Sequence, residues 1–328
     1  MPSIITVENL KKTFVTHKRD ETLRATLKSL FVRQKVLVEA VKGVSFTVNE
    51  GEIVGLLGEN GAGKSTTIKM LTGVLHPSSG TVKVMGYVPH AERKKYVKHI
   101  GAVFGQKSQL IWDIPPLDSF ALNQAIYEIP EPEYRERLNN MLTLLDIAEI
   151  AKKPTRSLSL GERMKCEFVM AMLHDPRVVF LDEPTIGIDI VAKEAIHNFI
   201  RQKNAEGVTF ILTTHDLEDI ESLARRVIII NHGEKVFEDT LTALRHHLGN
   251  QKTAQIQMKH KVDPARYTTH PGITLQRQIN EREVELLIDQ DLLPINDFID
   301  HISRLGEIQD ISIKEIGIGM VIKSIYQG

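Results

Sequence analysis

Gly58-Glu59-Asn60-Gly61-Ala62-Gly63-Lys64-Ser65 stands between an apolar run, Ile53 to Leu57, and a helical pattern that opens with Thr66 and continues through Ile68, Met70 and Leu71. This is the layout of a phosphate-binding P-loop. Glycine at 58, 61 and 63 lets the backbone turn inward at little steric cost, so that N–H groups from Gly58 to Thr66 converge on phosphate oxygens at a helix N-terminus. Lys64 adds a point charge for β- and γ-phosphates, and Ser65 adds a hydroxyl suited to Mg²⁺, which binds through few protein ligands plus the nucleotide. A nucleoside triphosphate is the expected ligand. The alternative is a glycine-rich strand-to-helix turn that binds nothing. The strand before, the helix after and the Lys-Ser pair in register argue against it.

The 328-residue chain exceeds the usual size of a single core, so a large and a smaller domain are expected, with 42% hydrophobic residues to fill both. Forty-one Lys plus Arg against 42 Asp plus Glu leave no whole-chain electrostatic case for nucleic acid or acidic lipid, and no nucleic-acid partner is expected. No apolar run approaches the roughly 20 residues that span a bilayer. The opening Met1-Pro2-Ser3-Ile4 has no signal-peptide layout, which predicts a cytoplasmic protein. A single cysteine, Cys166, excludes an internal disulfide and reads as a packed mid-helix residue.

Around the loop, strands are expected at Ile4 to Val7, Val44 to Val48, Ile100 to Phe104, Val178 to Leu181, Val208 to Thr213 and Val227 to Ile230. Several are unbroken apolar runs separated by helical patterns, as in an α/β domain with a mainly parallel sheet covered on both faces. Asn231-His232-Gly233 reads as a hairpin turn into Lys235 to Phe237, and Thr240 as the cap of a short helix ending near Gly249. Composition changes at Asn250 to Thr253. Strands then follow at Ile256 to Met258, Ile273 to Ile279, Val284 to Ile288 and Ile308 to Ile313, with a helix from Pro294 to Leu305 stopped by Gly306. This is a small α+β appendage.

Val178-Val179-Phe180-Leu181-Asp182-Glu183 is an apolar strand delivering two carboxylates at its C-terminal end, where open α/β sheets bind ligands. It matches a Walker B element: Asp182 for Mg²⁺, and Glu183 to orient and deprotonate the water that attacks the γ-phosphate. A strand alternates its faces, so neighbouring carboxylates serve one site only where the strand ends, and Pro184 ends it.

About 20 residues upstream, Ser157-Leu158-Ser159-Leu160-Gly161-Glu162 occupies the place of the ABC-family signature, and with it the order and spacing of motifs resemble an ABC-type ATPase. The resemblance implies a P-loop ABC-type domain with a mainly parallel core sheet, an antiparallel β subdomain and a helical subdomain. It also implies that Ser159 and Gly161, at a helix start, contact the γ-phosphate of ATP bound to the other subunit. Leu160 and Glu162 depart from the commonest form, and Glu162 brings a negative charge near the triphosphate. The same resemblance assigns Gln106 to the Q-loop, touching Mg²⁺ or the attacking water, His215 to the switch histidine on the γ-phosphate, and Asp189 to the D-loop at the dimer interface. Lys64 and His215 join Glu183 as catalytic candidates. Phe14 either stacks on adenine or packs locally. In the insertion at about 17–38, Leu23, Leu27, Leu30 and Phe31 share a helical face flanked by Lys18, Arg19, Arg24, Lys28, Arg33 and Lys35, facing lipid, a permease or the chain's own domain. Trp112, in the apolar stretch after the Q-loop, either borders the groove for a membrane subunit or anchors the local core.

The match spans roughly residues 4 to 240, divided as an ATP-binding domain over 1–240, with its helical subdomain at about 107–172, and an accessory domain over 241–328. Val103 to Asp113 and Leu181 to Asp189 look most like ABC-2 type exporter ATPases, a group that includes drug and viologen exporters. One P-loop and one signature per chain imply a homodimer, or a heterodimer with a second ABC ATPase, sandwiching two ATP with Mg²⁺. The expected function is powering export through a separate integral membrane permease from the inner face of the membrane. The alternatives are an importer ATPase, or a soluble ABC ATPase acting on ribosomes or DNA.

Overall fold

A computed structural model describes residues 2–17, 35–105, 107–245 and 250–327. The chain divides into two compact units, Met1–Glu238 and Asp239–Gly328.

In the first unit the elements are β1 (Ser3–His17), β2 (Lys35–Asn49), β3 (Ile53–Leu57), α1 (Lys64–Leu71), β4 (Ser79–Val84) and β5 (Ile100–Phe104). Helices α2 (Pro116–Tyr127), α3 (Glu131–Leu144) and α4 (Leu160–Met172) follow. Then come β6 (Val178–Asp182), α5 (Ile190–Ala205), β7 (Thr209–Thr213), α6 (Leu217–Leu223), β8 (Arg226–Asn231) and β9 (Glu234–Thr240). Six strands form one sheet in the order β5-β6-β7-β3-β8-β9, the first five of them parallel. Every residue of β3 and β7 is buried, which is why these strands read as unbroken apolar runs. His232 and Gly233 join β8 to β9 with φ of 48° and 85°, the positive-φ pair that a tight hairpin turn requires.

The register of the sheet positions the site. Phe104 pairs with Asp182, Asp182 with Thr213, and Thr213 with Leu56, so four parallel strands end on one row. Gly58, Glu183 and His215 each lie one or two residues past that row, at the C-terminal edge where α/β sheets bind ligands.

β1 runs antiparallel between β2 and β4 in a second sheet. Its inner residues Ile5 and Val7 share a core with Val44, Val82 and, from α1, Ile68 and Leu71. β1 and β2 are far longer than the expected Ile4 to Val7 and Val44 to Val48. Apolar alternation stops there, but the ladder continues through Phe14–Val38 and Thr16–Val36 with register shifts on the way. Leu10 and Val41 are still buried; farther out, main-chain pairing rather than burial carries the extension, and Val15, Leu37 and Val38 are exposed. Phe14 therefore lies inside β1 instead of after it. Of the insertion at about 17–38, Val36 to Val38 are strand residues, while the helical face with Leu23, Leu27, Leu30 and Phe31 lies outside the described residues. β4 was not anticipated.

The stretch 107–172 holds α2, α3 and α4. Trp112 keeps 52% of its surface exposed, with the Arg163 guanidinium 5.8 Å from its ring centroid, and Leu122 and Ile126 of α2 are exposed as well. Cys166 is fully buried in α4, and burial beside Glu167 pushes its thiol up to about 12.

In the second unit, β10 (Gln251–Met258), a short helix at Pro264–Tyr267, β11 (Ile273–Asn280), β12 (Glu283–Asp289), α7 (Ile295–Leu305), β13 (Ile308–Glu315) and α8 (Ile318–Gln327) follow in order. The sheet is antiparallel in the order β11-β12-β10-β13, a split βαβ arrangement. Ile256, Leu286 and Phe298 centre its core. Thr240 Oγ1 accepts from the Ala243 N–H at 3.1 Å and caps the helix Leu241–Arg245. α8 was not anticipated; its Ile318, Val321 and Ile322 are buried. Among the described residues, no helix is long and apolar enough to cross a membrane.

Candidate active site

The loop after β3 has the shape its glycines allow. Gly61 and Gly63 adopt φ of 85° and 108°, and a Cβ on Gly63 would sit 2.4 Å from the Ala40 carbonyl oxygen of β2. At Gly58 a Cβ would meet the Ile230 carbonyl at 2.3 Å. No other residue fits these two positions without moving main chain. Gly63 is the N-cap of α1, so the helix starts at Lys64, two residues before the expected Thr66, and its first turn closes through Thr67 N–H to Gly63 O at 2.9 Å.

Lys64 is 5% exposed, and its Nζ donates to Gly58 O at 2.7 Å and Glu59 O at 3.0 Å. Burial lowers its pKa, opposed by the charges of Glu183 and Asp182. The ammonium is thus folded over the loop it serves, in front of two carboxylates. Ser65 Oγ donates to Asp182 Oδ1 at 2.9 Å, and Thr213 Oγ1 donates to the same oxygen at 2.6 Å. Two hydroxyls meeting one carboxylate form an all-oxygen donor set, which fits a hard cation such as Mg²⁺.

Glu183 leaves the row at φ 52°, its N–H donating to Thr213 O at 3.0 Å. This left-handed turn lets Asp182 and Glu183 serve one site although they are adjacent on a strand. His215 Nδ1 stands 3.7 Å from Glu183 Oε1, beyond hydrogen-bond reach. Three cavities border these groups. One of about 130 Å³ is lined by Asn60, Gly61, Gly63, Lys64, Ser65, Thr66 and Glu183. One of about 150 Å³ includes Ser65, Lys69, Gly105, Asp182 and Glu183. The third, of about 290 Å³, includes Glu183, Gly187, Lys193, Thr214, His215 and Asp216. Glu183 is the residue common to all three.

None of those linings includes Ser159 or Gly161, which lie at the start of α4. Ser159 Oγ accepts from Glu162 N–H at 3.2 Å, and Glu162 Oε2 accepts from Ser159 N–H at 2.8 Å. Glu162, whose charge looked out of place in the sequence, completes a capping box. At Gly161 a Cβ would lie 2.7 Å from the Ala192 Cβ and 3.1 Å from Asp189 Oδ2, so its bareness lets α4 approach the start of α5. Asp189 caps α5 by accepting from Ala192 N–H at 2.9 Å. Just beyond it, Ile190 and Val191 are 78% and 73% exposed. Phe14 is half-buried on β1, with Lys12 Nζ 5.3 Å from its ring centroid. Gln106 lies outside the described residues.

Two buried carboxylates escaped the sequence. Glu167 of α4 accepts from the Gln109 N–H at 3.0 Å and from Ser108 Oγ, tying the stretch after Gln106 to the signature helix; burial raises its pKa against those hydrogen bonds. Asp219 of α6, 1% exposed, accepts from His197 Nε2 at 2.9 Å, Lys193 Nζ at 3.1 Å, Thr214 Oγ1 at 3.0 Å and Thr185 Oγ1. No motif marks either one, because their partners come from distant segments.

Burial alone would push the Asp219 carboxyl up, but hydrogen bonds from His197, Thr185, Lys193 and Thr214 outweigh it and hold it at about 2, below its ordinary 3.8. A folded value below the unfolded one stabilises the fold above the unfolded pKa, and this contribution is lost as pH falls toward the folded value. It amounts to about 2 kcal/mol at neutral pH, with roughly half gone by about pH 3. Urea titrations should show the parent's stability advantage over Asp219→Asn shrinking by about 1 kcal/mol between about pH 6 and pH 3. An unchanging difference would refute the assignment.

The ABC transporter family model matches residues 41–186. The chain is similar to the ABC transporter ATP-binding protein NatA of Bacillus subtilis, with 31% identity over 214 residues covering 65% of this chain and 87% of that one. It is also similar to the linearmycin resistance ATP-binding protein LnrL of the same organism, at 33% over 249 residues, 76% and 79% of the two chains. The methionine import ATP-binding protein MetN 1 of Acinetobacter baylyi is 30% identical over 219 residues, 64% and 60% of the two. A solved structure of the ATP-binding subunit of an ABC transporter superposes with a TM-score of 0.62 at 25% identity, covering 75% of this chain and 93% of that one. With the phosphate loop, the paired carboxylates and the capped signature helix on one domain of this architecture, the chain belongs to the ABC transporter ATP-binding proteins and is an ATPase.

Proposed function

We infer that this chain hydrolyses ATP to drive export of a substrate through a separate membrane permease, working as one half of a dimer on the cytoplasmic face of the membrane. The observation that carries the chemistry is Glu183, the common wall of the three cavities, which faces the lysine loop, the Ser65–Asp182 pair and His215 at once.

Backbone N–H groups of Gly58, Glu59, Asn60, Gly61, Ala62, Gly63 and Thr66, with Lys64, hold the β- and γ-phosphates. Ser65 and Asp182, joined by Gln106, would hold Mg²⁺, which when bound neutralises charge developing on the phosphate oxygens. Glu183 takes a proton from water as the water oxygen bonds the γ-phosphorus and the bond to the ADP oxygen breaks. His215 contacts the γ-phosphate, and Phe14 supplies a ring for adenine. Ser159 and Gly161 complete the site on the other copy, as the exposed Ile190 and Val191 beside Asp189 favour an interface there. ATP then links two surfaces that each carry part of the γ-phosphate ligands, and phosphate loss releases them. Residues 241–328 serve as an accessory domain.

Export is supported by the ABC-2 resemblance and by a relative named for linearmycin resistance; the methionine import relative supports import as the second reading. Tagged chain purified from detergent-solubilised membranes should bring down an integral membrane protein without a substrate-binding protein. Recovery of a substrate-binding protein would favour import, and ATPase activity that requires ribosomes or DNA would overturn both readings.

A further inference from the structure

The four donors on Asp219 come from three segments of the active site. Thr185 follows Glu183 by two residues, Thr214 immediately precedes His215, and Lys193 and His197 belong to α5, which Asp189 caps. A carboxylate has about four acceptor positions, and here all are filled: Oδ1 by His197 and Lys193, Oδ2 by Thr214 and Thr185. An ionised carboxylate only accepts, so His197 Nε2 carries the hydrogen in this contact. Lys193 also pairs with Asp216 and, at 3.3 Å, with Glu218. Thr185, Lys193 and Thr214 line the same 290 Å³ cavity as Glu183 and His215, whereas Asp219 lies behind them and does not reach it.

The geometry points to Asp219 as a positioning residue for hydrolysis. By clamping Thr185 and Thr214, it sets the segments carrying Glu183 and His215 face to face, and through Lys193 and His197 it joins them to the helix that begins at Asp189. This rests on Glu183 being the base. The consecutive threonines make the division of labour visible: Thr213, the last residue of β7, turns its hydroxyl to Asp182, and Thr214, one residue past the strand, turns its own to Asp219. An amide in place of the carboxylate would offer a single acceptor oxygen to four donors and leave two of them facing N–H groups. A loosened pair then loses turnover, because displacing a catalytic group by about 1 Å costs up to roughly 10²-fold without weakening the phosphate loop's hold on nucleotide.

The test compares Asp219→Asn, Thr214→Val, Thr214→Ser and, in parallel, Glu183→Gln, in the full chain. Circular dichroism checks folding, a fluorescent ATP analogue gives affinity, and phosphate release gives kcat and KM. Asp219→Asn should bind nucleotide within about twofold of the parent while kcat falls about tenfold or more. Thr214→Val, which keeps volume and deletes one hydroxyl, should lower kcat about three- to tenfold at constant KM, with Thr214→Ser recovering most of the loss. If Asp219→Asn does not fold, the Thr214 pair decides alone. Folded variants with parental kcat, or losses of kcat matched by equal losses of affinity, overturn the positioning role. Glu183→Gln separates the two ideas: full activity there removes the base, whereas an inactive Glu183→Gln beside a fully active Asp219→Asn removes only this inference.

Discussion

Glu183→Gln is expected to cut ATP turnover by about 10² to 10⁴-fold while leaving ATP affinity within about twofold of the parent. Glutamine keeps the shape of the side chain and the φ 52° turn that Thr213 supports, so the cavities keep their walls. What disappears is the proton acceptor. ATP bound between two copies then persists, and the dimer that hydrolysis would dissolve accumulates. Phosphate release under single-turnover conditions measures the first effect. Analytical ultracentrifugation with ATP and Mg²⁺ measures the second, with the parent predominantly monomeric after turnover. A variant that hydrolyses at the parental rate would remove Glu183 from the chemistry. A variant that is inactive yet stays monomeric with ATP would remove the sandwich.

Lys64→Ala should weaken ATP binding by at least about tenfold and lower turnover at saturating ATP by about 10²-fold. The lysine stands with its charge confined among Gly58 O, Glu59 O, Asp182 and Glu183 in a buried position. A triphosphate brought there gains charge-assisted hydrogen bonds worth about 1.5–3 kcal/mol, each 1.4 kcal/mol being tenfold in affinity. Without the lysine, the same triphosphate meets two carboxylates with one cationic group fewer to offset them. Part of the loss is therefore repulsion, which low ionic strength should enlarge. Isothermal titration at two salt concentrations reads both parts. Parental affinity in the alanine variant would show that the glycine cradle alone holds the phosphates.

Legibility in the sequence followed the range of the interactions. β5 was expected at Ile100 to Phe104 and occurs there, because a continuous apolar run bounded by His99 and Gly105 needs no distant partner to be recognised. The glycine-rich loop was equally plain, since the positive φ of Gly61 and Gly63 is a conformation local to the loop, although the close approach of Ala40 and Ile230 to Gly63 and Gly58 was not. The outer halves of β1 and β2 were not, because Lys11 to Thr16 and Val36 to Ala40 are paired by main-chain groups whose side chains alternate without a buried face. Glu162 misled for a related reason. Its charge was weighed against a ligand, whereas its carboxylate is engaged three residues away, on the N–H of Ser159. The length of β1 also decided where Phe14 sits.

By itself, the sequence determined the family, the glycine-rich loop between β3 and α1, the two carboxylates at a strand end and the helix start that carries Ser159, since each is written within a dozen neighbouring residues. The tertiary structure alone decided that Glu183 turns to border all three cavities, that Gly161 must be bare for Ala192 to approach, and that Asp219 gathers Thr185, Lys193, His197 and Thr214. Those contacts depend on the row where Phe104, Asp182, Thr213 and Leu56 align, and strand register is a property of the assembled sheet.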